Sequence, residues 1–260
     1  MAPHPKKKWG QNFLRNRSAV DRIVAAIEPE AGETILEIGP GEGVLTEKLA
    51  TLGVPVTAIE IDPELTTALQ SRLGDLVAVR NEDALEAPLP ETPFRAVGNL
   101  PYNVGTPILR RVIADPRCKR AVFMLQKEVA DRLVAKPRDE QYGYLTLYRQ
   151  LYASARILMT LDPRSFYPPP KVRSAVVVLD PLPPQIECDR DELLRLISAS
   201  FRMRRKKLVN NLTEWPRQEV LAAMQSAGIA ENARAEELGL PEFDRIGRSL
   251  LVTRDSLLDG

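Results

Sequence analysis

The chain contains one histidine, His4, and two cysteines, Cys118 and Cys188, far apart in sequence. That scarcity argues against a disulfide framework, a zinc site and most Ser–His or Cys–His nucleophilic chemistry. No apolar run approaches the roughly 18 residues of a membrane span, so none is expected. The segment Met1 to Lys8 is basic and has no apolar stretch, which argues against a signal peptide and leaves the cytoplasm as the expected compartment. Large net charge is lacking too: the balance is +1. Any catalysis must therefore work mainly by positioning, backbone groups, carboxylates and amides.

What is present supports a well-packed core. The 260 residues are 44% hydrophobic, which suits one large domain with a small appendage. Charge is local. Lys6, Lys7, Lys8, Arg15 and Arg17 gather near the start; Arg202, Arg204, Arg205, Lys206 and Lys207 gather near the end. Such patches either bind a polyanion or are plain solvated surface.

Apolar spacing predicts a helix over Ser18 to Ile27, with Ser18 as its cap, and a strand over Thr34 to Ile38. A helix from about Gly43 to Leu52, a strand over Val54 to Ile61 and a Pro-initiated helix over Pro63 to Leu73 follow. Further strands are expected over Leu76 to Val79, Arg95 to Val97 and Ala121 to Leu125, with helices over Thr106 to Ile113 and Glu128 to Ala135. This alternation indicates an α/β fold, a mostly parallel sheet with helices on both faces. Ala155 to Leu161 and Val172 to Leu179 read as an antiparallel pair at the sheet edge. The Pro-rich stretch Asp180 to Pro184 reads as a linker. Beyond it only helices are expected, including one continuous helix from Arg190 to Leu212. The division is thus 1–184 and 185–260, the second part a small all-α domain.

Glu37-Ile38-Gly39-Pro40-Gly41-Glu42-Gly43 lies at the first strand-to-helix turn. Glycines there let backbone approach a ligand closely. A dinucleotide fingerprint needs a sixth-position glycine, and that position is Val44, so a ligand without phosphates fits better. Glu60 ends the next strand, where a carboxylate can accept both hydroxyls of a ribose. Asp83 follows the third strand and can accept a hydrogen bond from an adenine amine. Singly these are a turn glycine, a surface Glu and a helix cap. Together at the ends of consecutive strands they point to a nucleoside pocket.

Asn99-Leu100-Pro101-Tyr102 follows the fourth strand. The exocyclic amine of adenine is a poor nucleophile because its lone pair is delocalised into the ring. The Asn99 side-chain oxygen and the Leu100 carbonyl can accept its two hydrogens and free that lone pair, while Tyr102 stacks on an extruded base. The amine becomes acidic as it gains a methyl, so no strong base is required. Taken alone, the tetrapeptide is equally an ordinary turn with a core tyrosine.

These segments resemble the KsgA-type ribosomal RNA adenine dimethyltransferase family over almost the whole chain. The resemblance rests on Lys8 to Leu14, Glu37 to Gly43, Glu60, Asp83 and Asn99 to Tyr102. It rests also on Phe166 to Val172 with Ser174 to Val177, and on Phe201, Arg204 to Lys206 and Asn210 to Leu212. It implies a Rossmann-like S-adenosylmethionine-dependent methyltransferase domain and a helical RNA-binding domain. It further implies dimethylation of two adjacent adenosines in a hairpin near the 3′ end of small-subunit rRNA. The partner would be an assembling ribosomal subunit, with no metal or membrane and the enzyme a monomer.

By motif match, Asn12, Leu14, Gly39, Gly41, Glu60, Ile61, Asp83, Ala84 and Asn99 would contact the cofactor. Leu100, Pro101, Tyr102 and Phe166 would complete the acceptor site, with Tyr102 and Phe166 sandwiching the flipped adenine; otherwise Phe166 is a core aromatic before a rigid turn. Lys7, Lys8, Arg202, Arg204, Arg205 and Lys206 would bind RNA. Phe201, Leu208 and Leu212 are expected to share one helix face. A large-subunit rRNA methyltransferase of the antibiotic-resistance type and a non-catalytic rRNA-binding assembly factor are the alternatives.

Overall fold

A computed structural model describes residues 6, 9, 11–183 and 185–258. The chain forms two compact units, Met1–Ala130 with Ala153–Pro181, and Asp131–Tyr152 with Leu182–Gly260. A single cut near residue 184 does not describe this division, because Asp131–Tyr152 joins the second unit although it precedes three strands of the first.

The first unit contains β1 (Phe13–Leu14), α1 (Arg17–Ile27), β2 (Thr34–Ile38), α2 (Val44–Leu49), β3 (Val56–Glu60), α3 (Pro63–Leu73) and β4 (Ala78–Asn81). It continues with β5 (Phe94–Asn99), α4 (Gly105–Ala114) and β6 (Cys118–Gln126), and α5 (Lys127–Val134) begins in it. After the interruption come α6 (Tyr144–Tyr152), which belongs to the second unit, then β7 (Ala153–Leu161), β8 (Phe166–Tyr167) and β9 (Ser174–Pro181). Seven strands form one sheet in the order β4-β3-β2-β5-β6-β9-β7. The first five are parallel; β9 is antiparallel to both β6 and β7. The edge pair expected from sequence is thus present. β1 and β8 make a separate two-stranded pair.

Parallel strands buried on both faces need apolar runs rather than alternation. Ile35, Leu36, Ala58, Ile59, Ala96, Val97, Val122 and Phe123 meet that need and are all buried. Gly98 has a steric reason: a Cβ there would lie 2.3 Å from the Ile38 carbonyl oxygen, on the neighbouring strand β2. α1 is capped by Asn16, whose Oδ1 accepts from the Ala19 N–H at 3.1 Å, so the helix starts before the expected Ser18. α3 runs over the expected residues, with Asp62 as cap and Pro63 at its first position. Because the five strands are parallel, their carboxyl ends, at Ile38, Glu60, Asn81, Asn99 and Gln126, share one edge.

The second unit adds α7 (Arg190–Ser200), α8 (Leu208–Asn211), α9 (Arg217–Ser226) and α10 (Leu240–Leu258) around Tyr142, Leu147, Leu193, Leu196, Leu208, Leu212, Val220 and Phe243. The continuous helix expected over Arg190 to Leu212 is broken. α7 ends at Ser200 with Phe201 as its C-cap, and residues 201–206 form turns and bends. The break is stabilised by Asn211, whose Nδ2 donates to the Ser200 and Met203 carbonyls at 2.9 and 3.1 Å. The first of those bonds satisfies a carbonyl that the helix end leaves open; the second fixes the turn beyond it. Phe201 therefore does not share a helix face with Leu208 and Leu212. It packs from the end of α7 against the Tyr142 and Phe243 rings, with centroids 6.1 Å away in both cases. α6 was not expected either: its tyrosines favour strand individually, yet Tyr144, Tyr148 and Tyr152 recur every fourth position and stack at 6.0 and 4.9 Å.

Gly98→Ala should force β2 and β5 apart and lower stability by about 1–3 kcal/mol, the usual cost of an overpacked core. Urea unfolding of parent and variant measures this; equal midpoints would show that the strands yield freely.

Candidate active site

The turn after β2 is built from glycines in left-handed backbone, with φ of 66° at Gly39, 58° at Gly41 and 83° at Gly43. Any side chain there would be strained. A Cβ on Gly41 would also sit 3.0 Å from the Phe13 ring. The bare backbone thus walls an open cleft, the concave kind of surface that small-molecule sites use.

Glu60 closes one side of that cleft and is buried. Its Oε2 accepts the Gly41 N–H at 3.1 Å and its Oε1 the Asp62 N–H at 3.0 Å. Burial raises its pKa, and these N–H bonds offset part of the rise. A carboxylate has about four acceptor positions, so each oxygen keeps capacity for a hydroxyl donor. Asp62 in turn accepts from Lys6 Nζ at 2.9 Å, Gln11 Nε2 at 3.1 Å and the Glu64 N–H at 3.1 Å. Burial alone would raise the Asp62 carboxyl; the bonds from Lys6, Gln11 and Glu64 outweigh it and hold the pKa below its ordinary value. The N-terminal segment is thereby tied to the start of α3, and Trp9, Gln11, Asn12 and Phe13 line the cleft.

Asp83, Ala84 and Ile61 line the cleft with Gly39, Gly41 and Glu60. Asp83 accepts the Leu85 N–H on Oδ1 at 2.9 Å, and Oδ2 makes no bond among the described residues. At the opposite wall stand Asn99, Leu100, Pro101 and Tyr102. The Asn99 Nδ2 donates to the Asn12 carbonyl at 2.7 Å, which fixes Oδ1 as the outward acceptor. Tyr102 shares a 2.9 Å hydrogen bond with the Ser174 hydroxyl; burial raises its phenol pKa, so the ring stays neutral.

Two expected residues stand elsewhere. Leu14 lines a second, smaller cleft that shares Phe13, Gly39, Gly41 and Asn99 with the first. Phe166 is buried in the core and lines neither; its backbone pairs with Leu14. The base-sandwiching role expected of Phe166 finds no support in this position, and the core reading fits it. Trp9, Gln11 and Phe13, from the Lys8 to Leu14 motif, also line the cleft, as do Glu82, Val104 and Ile108, which carry no motif in the sequence. Among the described residues no group of three or more His, Cys, Asp or Glu side chains is placed to hold a metal. No described helix is long and apolar enough to cross a membrane.

In the second unit the basic cluster divides. Arg202 pairs with Glu214, and Arg204 pairs with Glu236 at 3.0 Å. Arg205 and Lys206 are exposed and make no side-chain bond among the described residues. Lys7 and Lys8 lie outside the described residues.

Beneath the glycine turn lies Glu37, fully buried in β2. Neither carboxyl oxygen meets hydrogen-bond geometry with any described residue. Burial pushes its pKa up to about 8; the neighbouring Thr46 hydroxyl offsets part of that and Glu60 adds to it.

A model of the family described as ribosomal RNA adenine dimethylase matches residues 3–250. The chain is 41% identical over 251 residues to "Ribosomal RNA small subunit methyltransferase A" of Hahella chejuensis, covering 93% of this chain and 91% of that one. It is 38% identical over 259 residues to the protein of the same name from Syntrophotalea carbinolica, with 95% and 97% covered. Among solved structures, a dimethyladenosine transferase from Plasmodium falciparum aligns with a TM-score of 0.80 and 27% identity, covering 94% of this chain and 98% of that one. The 23S rRNA methyltransferase ErmE aligns with a TM-score of 0.72 and 31% identity, covering 92% and 99%.

Glu37 holds a proton in the fold that the unfolded chain releases above the ordinary carboxyl value of 4.5. Its contribution is full at low pH and is lost as pH rises towards about 8. Over that interval this residue should make stability fall by about 1.4 kcal/mol per pH unit. Glu37→Gln should remove that slope; urea unfolding at several pH values compares the two, and identical pH dependence would show Glu37 to be ionised in the fold.

Proposed function

This chain belongs to the ribosomal RNA adenine dimethylase family, and we propose that it dimethylates two adjacent adenosines in the hairpin near the 3′ end of small-subunit rRNA. One observation carries the reading. A single cleft is lined by the glycine turn, Glu60, Asp83 and the segment Asn99 to Tyr102, which joins nucleoside-holding groups to amine-holding groups. S-adenosylmethionine fits those residues: bare glycine backbone, a carboxylate for the ribose and a carboxylate for the adenine amine. When bound it supplies an electrophilic methyl on a positively charged sulfur. Identity to relatives named for the small subunit, 41% and 38%, exceeds the 31% to the 23S rRNA enzyme.

The chain's own residues prepare the acceptor. Asn99 Oδ1, oriented by the bond to Asn12, accepts one hydrogen of the target amine, and the Leu100 carbonyl accepts the other. Held this way, the amine nitrogen becomes more tetrahedral and its lone pair leaves the ring. Tyr102, steadied by Ser174, offers its face to the extruded base. Once methylated, the nitrogen is acidic enough to lose its proton without a strong base. Arg205 and Lys206, with Lys7 and Lys8 of the N-terminal segment, contact RNA phosphates. Arg202 and Arg204 contribute less, because Glu214 and Glu236 already neutralise them. The setting of this work is an assembling ribosomal subunit in the cytoplasm, and the enzyme acts as a monomer.

Asn99→Ala should cut single-turnover methyl transfer by on the order of a hundredfold or more. Melting temperature and RNA affinity should stay near those of the parent. Transfer at the parent rate would refute the mechanism, and loss of folding would make the segment structural. Replacing Arg205 and Lys206 by alanine should flatten the salt dependence of RNA binding by up to about two phosphate contacts. The pair Arg202 and Arg204 should flatten it less; the reverse order would contradict the assignment.

A further inference from the structure

The turn that follows β4 is tied at its start, where the Glu82 N–H donates to the Glu60 carbonyl at 3.2 Å, and at its far end, where Arg80 Nη1 donates to the Pro88 carbonyl at 3.3 Å. Between these points Asp83 and its neighbours lie outside any strand, and their backbone bonds are local: the Asp83 carbonyl accepts the Glu86 and Ala87 N–H groups at 3.0 and 2.8 Å. A tie comes from α4. Arg111 donates from Nη1 to the Ala84 carbonyl at 2.9 Å and from Nη2 to the Ala87 carbonyl at 2.6 Å. Only a planar guanidinium presents two donors in a fixed fork, so one rigid group sets the separation and orientation of both carbonyls.

α4 also starts directly after the acceptor segment, and its Ile108, three residues before Arg111, lines the cleft. One face of the helix thus supplies cleft wall while the next turn grips the loop that bears Asp83 and Ala84. Asp83 spends Oδ1 on the Leu85 N–H. Where Oδ2 falls is therefore decided by the position of the turn as a whole.

We propose that Arg111 is a positioning residue for the cofactor's adenine: by clamping the Ala84 and Ala87 carbonyls it places Asp83 against the exocyclic amine and so sets the base specificity of the cofactor site. The proposal rests on the reading that this turn receives the adenine. Arg111 touches neither the ribose side of the cleft nor the acceptor amine, so its loss should change recognition of the base and leave the transfer step alone.

The test compares two ligands of the whole enzyme, S-adenosylhomocysteine and S-inosylhomocysteine, whose 6-oxo group accepts where the amine donates. The parent should prefer the first. In Arg111→Met, affinity for S-adenosylhomocysteine should fall by about tenfold, as for loss of a charge-assisted hydrogen bond. Affinity for S-inosylhomocysteine should change much less, so that the preference collapses. The transfer rate at saturating S-adenosylmethionine should stay within about twofold of the parent, with the loss confined to KM. Equal weakening of both ligands, or no weakening, would overturn the proposal. If Arg111→Met does not fold, Arg111→Lys, which keeps the charge but not the fork, is held to the same criterion. Asp83→Ala separates the underlying reading. If it spares the preference while Arg111→Met abolishes it, Asp83 is not the amine's partner and the clamp acts through the turn's backbone. If it abolishes the preference while Arg111→Met spares it, Asp83 holds the amine and Arg111 is not its positioner.

Discussion

The 2.7 Å hydrogen bond from Asn99 Nδ2 to the Asn12 carbonyl decides which end of a symmetric-looking amide is left as an acceptor, the end that the proposed mechanism uses. A carboxamide turned the other way would offer donors to an amine that already has two hydrogens, and nothing would be gained. The orientation of a group at the end of β5 thus depends on a segment 87 positions earlier in the chain. That segment is held in turn from two sides. β1 pairs with β8, Phe13 opposite Tyr167 and Leu14 opposite Phe166. Lys6 and Gln11 bond to Asp62. Asp62 caps α3 and gives its own N–H to Glu60, which takes the Gly41 N–H on its other oxygen. The Glu60 and Asn99 sides of the cleft therefore share one chain of hydrogen bonds, and a change in the N-terminal segment acts on both.

Much of this was legible before the structure. The alternation of apolar runs and helical spacing, with Pro63 as a helix start, yields the parallel sheet, and carboxyl-edge logic then places Glu60, Asp83 and Asn99 together. These are residues whose chemistry is written in their type and whose position follows from the strand they end. What could not be read has a common physical cause. Trp9, Phe13, Val104 and Ile108 line the cleft through tertiary packing of loops and a helix face, and an apolar side chain carries no mark of whether its neighbour is core or ligand. Phe166 illustrates the same ambiguity from the other side: it has the type of a stacking residue and the burial of a core one.

The second unit shows where local periodicity misleads. Apolar residues at helical spacing suggested one helix through Phe201 to Leu212, yet the chain turns after Ser200 because a single asparagine, Asn211, can satisfy the open carbonyls from beyond the break. Competition between continuing a helix and capping it is decided by such side-chain bonds, and one sequence carries no count of them. The same distance in sequence hides Glu214 and Glu236, which neutralise Arg202 and Arg204 and leave the charge of the cluster concentrated on Arg205, Lys206 and Lys207. The near-zero net charge of the whole chain, +1, is compatible with such a focused patch.

The proposed work of this cleft is methyl transfer to adenines of small-subunit rRNA. Mass mapping of rRNA after incubating undermethylated small subunits with the enzyme and S-adenosylmethionine reads that transfer site by site. Two methyl groups are expected on each of two adjacent adenosines near the 3′ end of the small-subunit rRNA, and none on large subunits treated in parallel. Methylation of large-subunit rRNA instead, or no methylation of either, would contradict the proposal.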